Sequence, residues 1–164
     1  EEVLVSPVPN SIILCGFIVG GMVRGLLVGA IVTGMALFFV DLQIQHPLIT
    51  ITVILLTATV FSLAGFINAL FANSFDDISI IPTFVLTPLI YLGGVFYSSA
   101  LLPPFWQSVS ALNPIFYMVN TFRYGFLGVS DVPIGAAFFI LILFSVVLFG
   151  SCLWLLNRGT GLRS

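Results

Sequence analysis

An all-α membrane protein is what this sequence predicts, with four transmembrane helices and a re-entrant helical hairpin on the outer side. Three observations predict it. The 164 residues are 60% hydrophobic and only 6% charged, with a mean hydropathy of +1.25, whereas soluble domains carry about 25% charged residues. The apolar residues gather into runs at 11–40, 48–72, 80–102 and 134–156, each long enough for the ~20 residues that cross a ~30 Å hydrocarbon core. Between the last two runs lies 103–128, broken by prolines yet aromatic throughout: Phe105, Trp106, Phe116, Tyr117, Phe122, Tyr124 and Phe126. A segment too aromatic to be solvated and too broken to span belongs at the membrane–water boundary, where a ring sits in lipid and its polar atom in water.

Composition narrows the function classes. There is no lysine, and a net charge of -2 gives no footing for nucleic acid. Cys15 and Cys152 each lie in an apolar run and read as small buried residues. Their spacing fits neither a disulfide framework nor a metal site. The first residue is Glu1, and no basic segment precedes the first apolar run, so a signal peptide is not visible and the chain is expected to be a fragment or to lack its start.

Taken in order, Glu1–Asn10 is short, with two carboxylates suited to the positive end of a helix dipole and with Pro7 and Pro9 to close it. The run 11–40 would be ~45 Å long as a helix, so it must tilt, bend or begin at the interface. Its pairs Gly16/Gly20, Gly21/Gly25 and Gly25/Gly29 have the spacing that lets another helix backbone approach. Its one charge, Arg24, costs at least ~2.5 kcal/mol at mid-bilayer and must face protein, a polar cavity or the boundary. Arg24 is therefore a candidate for a path or gate, against the plainer reading of a snorkelling arginine.

Asp41–Pro47 is a polar connection, and its lone His46 has no second histidine with which to bind metal. The span 48–72 carries Asn68 near its end, placed to hydrogen-bond a neighbouring helix. In the connection 73–79, Asp77 reads as the N-cap of the next helix, because adjacent carboxylates without a pocket or partner do no acid–base chemistry. Pro88 is expected to kink the span 80–102, and Gly93-Gly94 to weaken it. Pro103-Pro104 ends it, and Asn113-Pro114 starts a new turn. The uncharged span 134–156 leads to a tail bearing Arg158 and Arg163. Arginines beside a span favour the cytoplasm, so the C-terminus is expected inside and 103–132 outside. Arg123 then lies on the side that opposes the rule, as a residue packed within the hairpin.

Two stretches resemble the permease subunit of ABC-2 type transporters, ATP-driven exporters of the bacterial inner (plasma) membrane. Asn113-Pro114-Ile115-Phe116-Tyr117 followed by Arg123, after Gly93-Gly94 and Leu102-Pro103, is similar to the family signature. Glu2-Val3-Leu4-Val5-Ser6-Pro7 is similar, with one residue fewer between Leu4 and Ser6, to the Glu-x-Leu-x-x-(Ser/Thr)-Pro stretch that forms the coupling helix docked on the ATPase. The resemblance runs end to end and implies that the chain is the C-terminal two thirds of a six-span permease, namely the coupling helix (1–10) and spans three to six. It makes 103–128 the re-entrant outer segment. Glu1, Glu2, Leu4, Ser6 and Pro7 become ATPase-coupling residues, and Pro114, Tyr117 and Arg123 join Arg24 as path or gate residues.

The resemblance further implies a separate ABC ATP-binding subunit as partner, a second permease copy, and ATP with Mg on that ATPase. No cofactor, metal or catalytic residue is expected on this chain, which has no GxxxxGK[ST] loop. The expected function is alternating-access export of a lipid-linked, glycan or hydrophobic substrate. The alternatives weighed are a passive channel or membrane scaffold without an ATPase, and a membrane-embedded enzyme. A channel filter would need rings of carbonyls or charges, and an enzyme would need a midplane cluster of His, Asp or Glu. Neither pattern is present in the sequence.

Overall fold

A computed structural model describes residues 8–41, 43–72, 74–98 and 101–158. The described residues form helices and connections only. Helix α1 is Asn10–Ala36, α2 Pro47–Phe71, α3 Phe75–Ile81, α4 Thr87–Leu92, α5 Pro104–Ala111, α6 Pro114–Leu127 and α7 Ile134–Asn157, and a π-helical turn, Pro82–Leu86, joins α3 to α4. By length and composition, α1, α2 and α7 are the described helices able to cross a membrane. The molecule is turned outward in polarity. Ile31, Val146 and Phe139 are each more than 60% exposed, whereas Asn120 and Thr121 are fully buried. Apolar surface facing out around a partly polar interior is the arrangement a hydrocarbon solvent favours.

Helix α2 is central and touches α1, α3, α6 and α7. Pro47 opens it, at a position where a missing N–H is no loss. One core cluster joins Leu14 and Ile18 of α1, Leu63 of α2, and Cys152 and Leu156 of α7. A second joins Val53 and Val60 of α2, Met118 of α6 and Leu141 of α7. The two ends of the bundle are distinguishable. Asn10 at the start of α1 donates to Asn157 at the end of α7 (2.8 Å), which puts these two termini at one end. At the other end, the His46 N–H before α2 donates to the Gly125 carbonyl of α6 (2.9 Å).

Several expectations are corrected here. The first helix ends at Ala36 rather than Val40, since the chain closes into turns with Phe38 N–H on Met35 O (3.1 Å) and Phe39 N–H on Ala36 O (2.9 Å). The N-cap of α3 is Ser74. Asp77 is its N3 partner in a capping box, with Asp77 N–H to Ser74 Oγ at 3.2 Å and Ser74 N–H to Asp77 Oδ2 at 3.1 Å. Asn68 does reach a neighbour, donating to Ile78 O of α3 (3.0 Å).

The stretch expected as one kinked helix to Leu102 is helical only from Phe75 to Leu92, about 27 Å at 1.5 Å per residue. Its irregularity lies one turn before Pro88. A proline has no N–H to bond the carbonyl four residues back, and its ring crowds that carbonyl. The π-helical turn absorbs the misfit, with the Thr87 N–H and hydroxyl both directed at Pro82 O. The helix then stops at Gly93-Gly94. Gly94 takes φ +75°, and a Cβ on Gly93 would come within 2.8 Å of Ile115 Cγ2. The glycines are the terminus where α6 crosses, not merely a soft spot.

Of the glycine pairs in α1, only Gly21 meets a partner helix, lying against Ser62 of α2. Nothing stands within 4 Å of a Cβ placed on Gly16, Gly20, Gly25 or Gly29.

Candidate functional site

Two neighbouring features carry the sequence-predicted residues that fall within the described chain. The first is the helical pair α5–α6. Its turn is built from Asn113, whose Oδ1 accepts from Ile115 N–H (3.0 Å) and so caps α6, with Pro114 at the first helical position. The same Asn113 side chain donates through Nδ2 to Leu89 O of α4 (2.6 Å). Tyr117 OH reaches back to Ala111 O (2.7 Å) and ties the start of α6 to the end of α5. Gly128 ends α6 in a left-handed turn (φ +70°), its N–H on Tyr124 O.

Arg123 is the hub of the second half of α6. Its Nη2 donates to Gly94 O (2.6 Å) and more distantly to Tyr97 O (3.5 Å), both in the turn after α4. Its Nη1 pairs with Asp131 Oδ2 at 3.4 Å, just before α7. Asp131 is held from other directions: Ser98 Oγ donates to its Oδ1 (2.9 Å), and its own N–H donates to Asn120 Oδ1 (2.9 Å). Asn120 is fully buried and its amide N–H donates to Phe116 O (2.9 Å). One cation thus fastens the α4 turn, α6 and the approach to α7 together. A paired arginine is also a neutralised one, so Arg123 carries little weight in a charge rule for loops.

Reasoning from sequence missed Ser98, Asn120 and Asp131 as members of this cluster. A signal was present, since Asp131 is eight residues from Arg123 in a chain with few charges.

The second feature is a groove of about 1190 Å³ between α1 and α2. Arg24 lies on its wall near the middle of α1, exposed and without a hydrogen bond or ion pair among the described residues. The structure does not bring Arg24 together with Pro114, Tyr117 and Arg123. What connects the two features is Phe122 of α6, which lines this groove and also a smaller cleft of about 630 Å³ that contains Asp41, Gln45 and Arg123. Phe122 packs on Phe126 with ring centroids 4.7 Å apart. His46 stacks on Tyr124 at 4.7 Å on the same helix. Glu1, Glu2, Leu4, Ser6 and Pro7, the coupling residues, lie outside the described residues. Among the described residues there is no group of three or more metal-ligating side chains.

The pattern of the ABC-2 type transporter family matches residues 1–127. The chain belongs to this family. It is similar to the inner membrane transport permease YadH of Escherichia coli (strain K12) and to the protein of that name from Shigella flexneri, 56% identical to each over 164 residues. The match covers 100% of this chain and 64% of each relative, so the chain spans less than two thirds of the curated relatives it matches. No solved structure matches it.

Proposed function

We propose that this chain belongs to the permease of an ATP-driven ABC-2 type exporter in a bacterial inner membrane, and that it forms part of the path for a lipid-linked, glycan or hydrophobic substrate. The supporting observation is the clamp at Arg123. It holds α5–α6 to the end of α4 and to the approach to α7, while Phe122 on the same helix stands between the α1–α2 groove and the smaller cleft.

In this reading α3, the π-helical turn and α4 act as a fourth, short crossing, and α5–α6 is a re-entrant lid at the outer mouth. Depth supports the lid. Gly125 lies against Thr50 at the start of α2, whereas Met118 packs with Val53 and Leu141, about 10 Å inside the ends of α2 and α7 at 1.5 Å per residue. So α6 slopes into the bundle rather than lying across its end. Arg158, which stacks on Trp154 at 3.9 Å, supports a cytoplasmic side at that end of the bundle by the preference of arginines beside a span for the cytoplasm, and with it a lid on the outer side.

ATP and Mg act on a separate ABC ATP-binding subunit, and a second permease copy completes the path. Glu1, Glu2, Leu4, Ser6 and Pro7 form the contact through which ATP-driven closure reaches the spans. A rigid-body change biased by ATP then alternates access. The charge swap Glu2→Lys in the permease, co-expressed with its ATPase, is the test. The reading expects transport to fall while basal ATP hydrolysis persists, and unaltered transport-linked hydrolysis would reject the coupling role.

A further inference from the structure

We infer that the α1–α2 groove is a mid-membrane binding site for an amphiphile with a phosphate-like anionic head, and that Arg24 holds the head. The inference rests on the exporter reading and narrows its substrate class. Gly21 of α1 lies against Ser62 of α2, and Phe17 packs on Phe66 (5.3 Å), so the two helices run antiparallel. Arg24, one turn beyond Gly21, is therefore level with the Thr57–Ser62 stretch of α2. Thr57 and Ser62 line the same groove, and their hydroxyls, like the Arg24 guanidinium, make no hydrogen bond among the described residues. Neighbouring hydroxyls on α2 behave differently: Thr52 and Thr59 each donate to the carbonyl four residues back.

A cation and two free hydroxyls at one depth, in a groove otherwise lined mainly by glycine, alanine and larger apolar residues such as Leu26, Ile54 and Phe61, are costly in hydrocarbon unless something answers them. Neither α1 nor α2 contains an acidic residue. A guanidinium with flanking hydroxyls offers several donors and suits an anion with three or more oxygens better than a carboxylate with two. The apolar remainder of the groove suits the tail, and about 1190 Å³ exceeds the ~300–1,000 Å³ of ordinary small-molecule pockets. A second copy seated groove to groove would set Arg24 against its own symmetry mate, like charges in a low dielectric.

The test uses the permease with its ATP-binding subunit in nanodiscs, with dodecyl phosphate as the probe and dodecanol as its uncharged control. Wild type is expected to bind dodecyl phosphate in preference to dodecanol. Arg24→Gln should weaken dodecyl phosphate at least about tenfold and leave dodecanol unchanged, with Arg24→Lys in between. Gly29→Leu fills open groove, since nothing lies within 4 Å of its Cβ position, and should weaken both probes. Equal binding of dodecyl phosphate by wild type and Arg24→Gln overturns the inference. So does equal wild-type binding of the two probes, or dissociation of the complex on Arg24→Gln, which would assign Arg24 to a carboxylate on another helix. Failure of the ATP-binding subunit to co-purify would instead reject the exporter reading.

Discussion

The Arg123 guanidinium and the Asp131 carboxylate meet at 3.4 Å across the gap between α6 and the approach to α7, each side chain about one-fifth exposed. The same guanidinium donates to Gly94 O at 2.6 Å. The two ends of this relationship are not equivalent. Arg123 supplies the charged donors to both neighbours of α6, whereas the Asp131 carboxylate only accepts, from Arg123 and from Ser98 Oγ (2.9 Å).

Arg123→Ala is therefore expected to destabilise the permease more than Asp131→Asn. Loss of the charged donor abandons the Gly94 carbonyl and the carboxylate together, at about 1.5–3 kcal/mol per charged hydrogen bond. Asp131→Asn keeps the side-chain shape and an oxygen acceptor. Thermal unfolding of the two variants in one detergent checks the order, and equal shifts in Tm would contradict it.

Asn113→Ala removes the cap of α6 and the bond to Leu89 O in one step. A loss of about 1–3 kcal/mol is expected, localised to the α5–α6 turn. Hydrogen exchange should rise first at the start of α6, while α7 stays protected.

Phe122→Ala should leave stability nearly unchanged, because the residue is 43% exposed. It is nonetheless expected to alter transport, since Phe122 alone of the α6 residues lines both the groove and the smaller cleft among the described residues. The expected result is raised ATP hydrolysis without added substrate, or leak of a small dye through proteoliposomes. An unchanged rate in both assays counts against a gating role.

Glycines in similar helical settings should answer differently to alanine. Gly125→Ala pushes a methyl into Thr50, where even the backbone Cα is only 3.2 Å away, and an overpacking cost of about 1–3 kcal/mol is expected. Gly150→Ala meets nothing within 4 Å and should be neutral or stabilising by up to ~1 kcal/mol through helix propensity. Paired denaturation curves decide this, and an equal response would show that the α2–α6 contact is looser than described.

The long apolar helices α1, α2 and α7 were legible in the sequence because length and hydropathy are local properties, and the breaks at Pro103-Pro104 and Asn113-Pro114 were legible because proline acts on its own backbone. What the chain did not reveal locally was decided by distant residues. Gly93 has no room for a side chain because Ile115 lies over it. Ser74 displaces Asp77 as the cap because the box needs both side chains at once. Of the partners of Arg123, Asp131 is eight residues away and was within reach of the sequence, whereas the Gly94 carbonyl is 29 residues away and beyond it. Arg24 was recognisable as costly, but the hydroxyl residues Thr57 and Ser62 that line the same groove belong to another helix.

The side of the membrane on which the α5–α6 lid lies is the point everything else depends on, and cysteine accessibility in intact cells measures it directly. With Cys15 and Cys152 replaced by alanine, Val129→Cys, at a position 57% exposed just after α6, is treated with a membrane-impermeant maleimide alongside Asp76→Cys at the start of α3. Labelling of position 129 before permeabilisation, and of position 76 only afterwards, is the predicted result. The reverse pattern would place the lid in the cytosol and contradict the account.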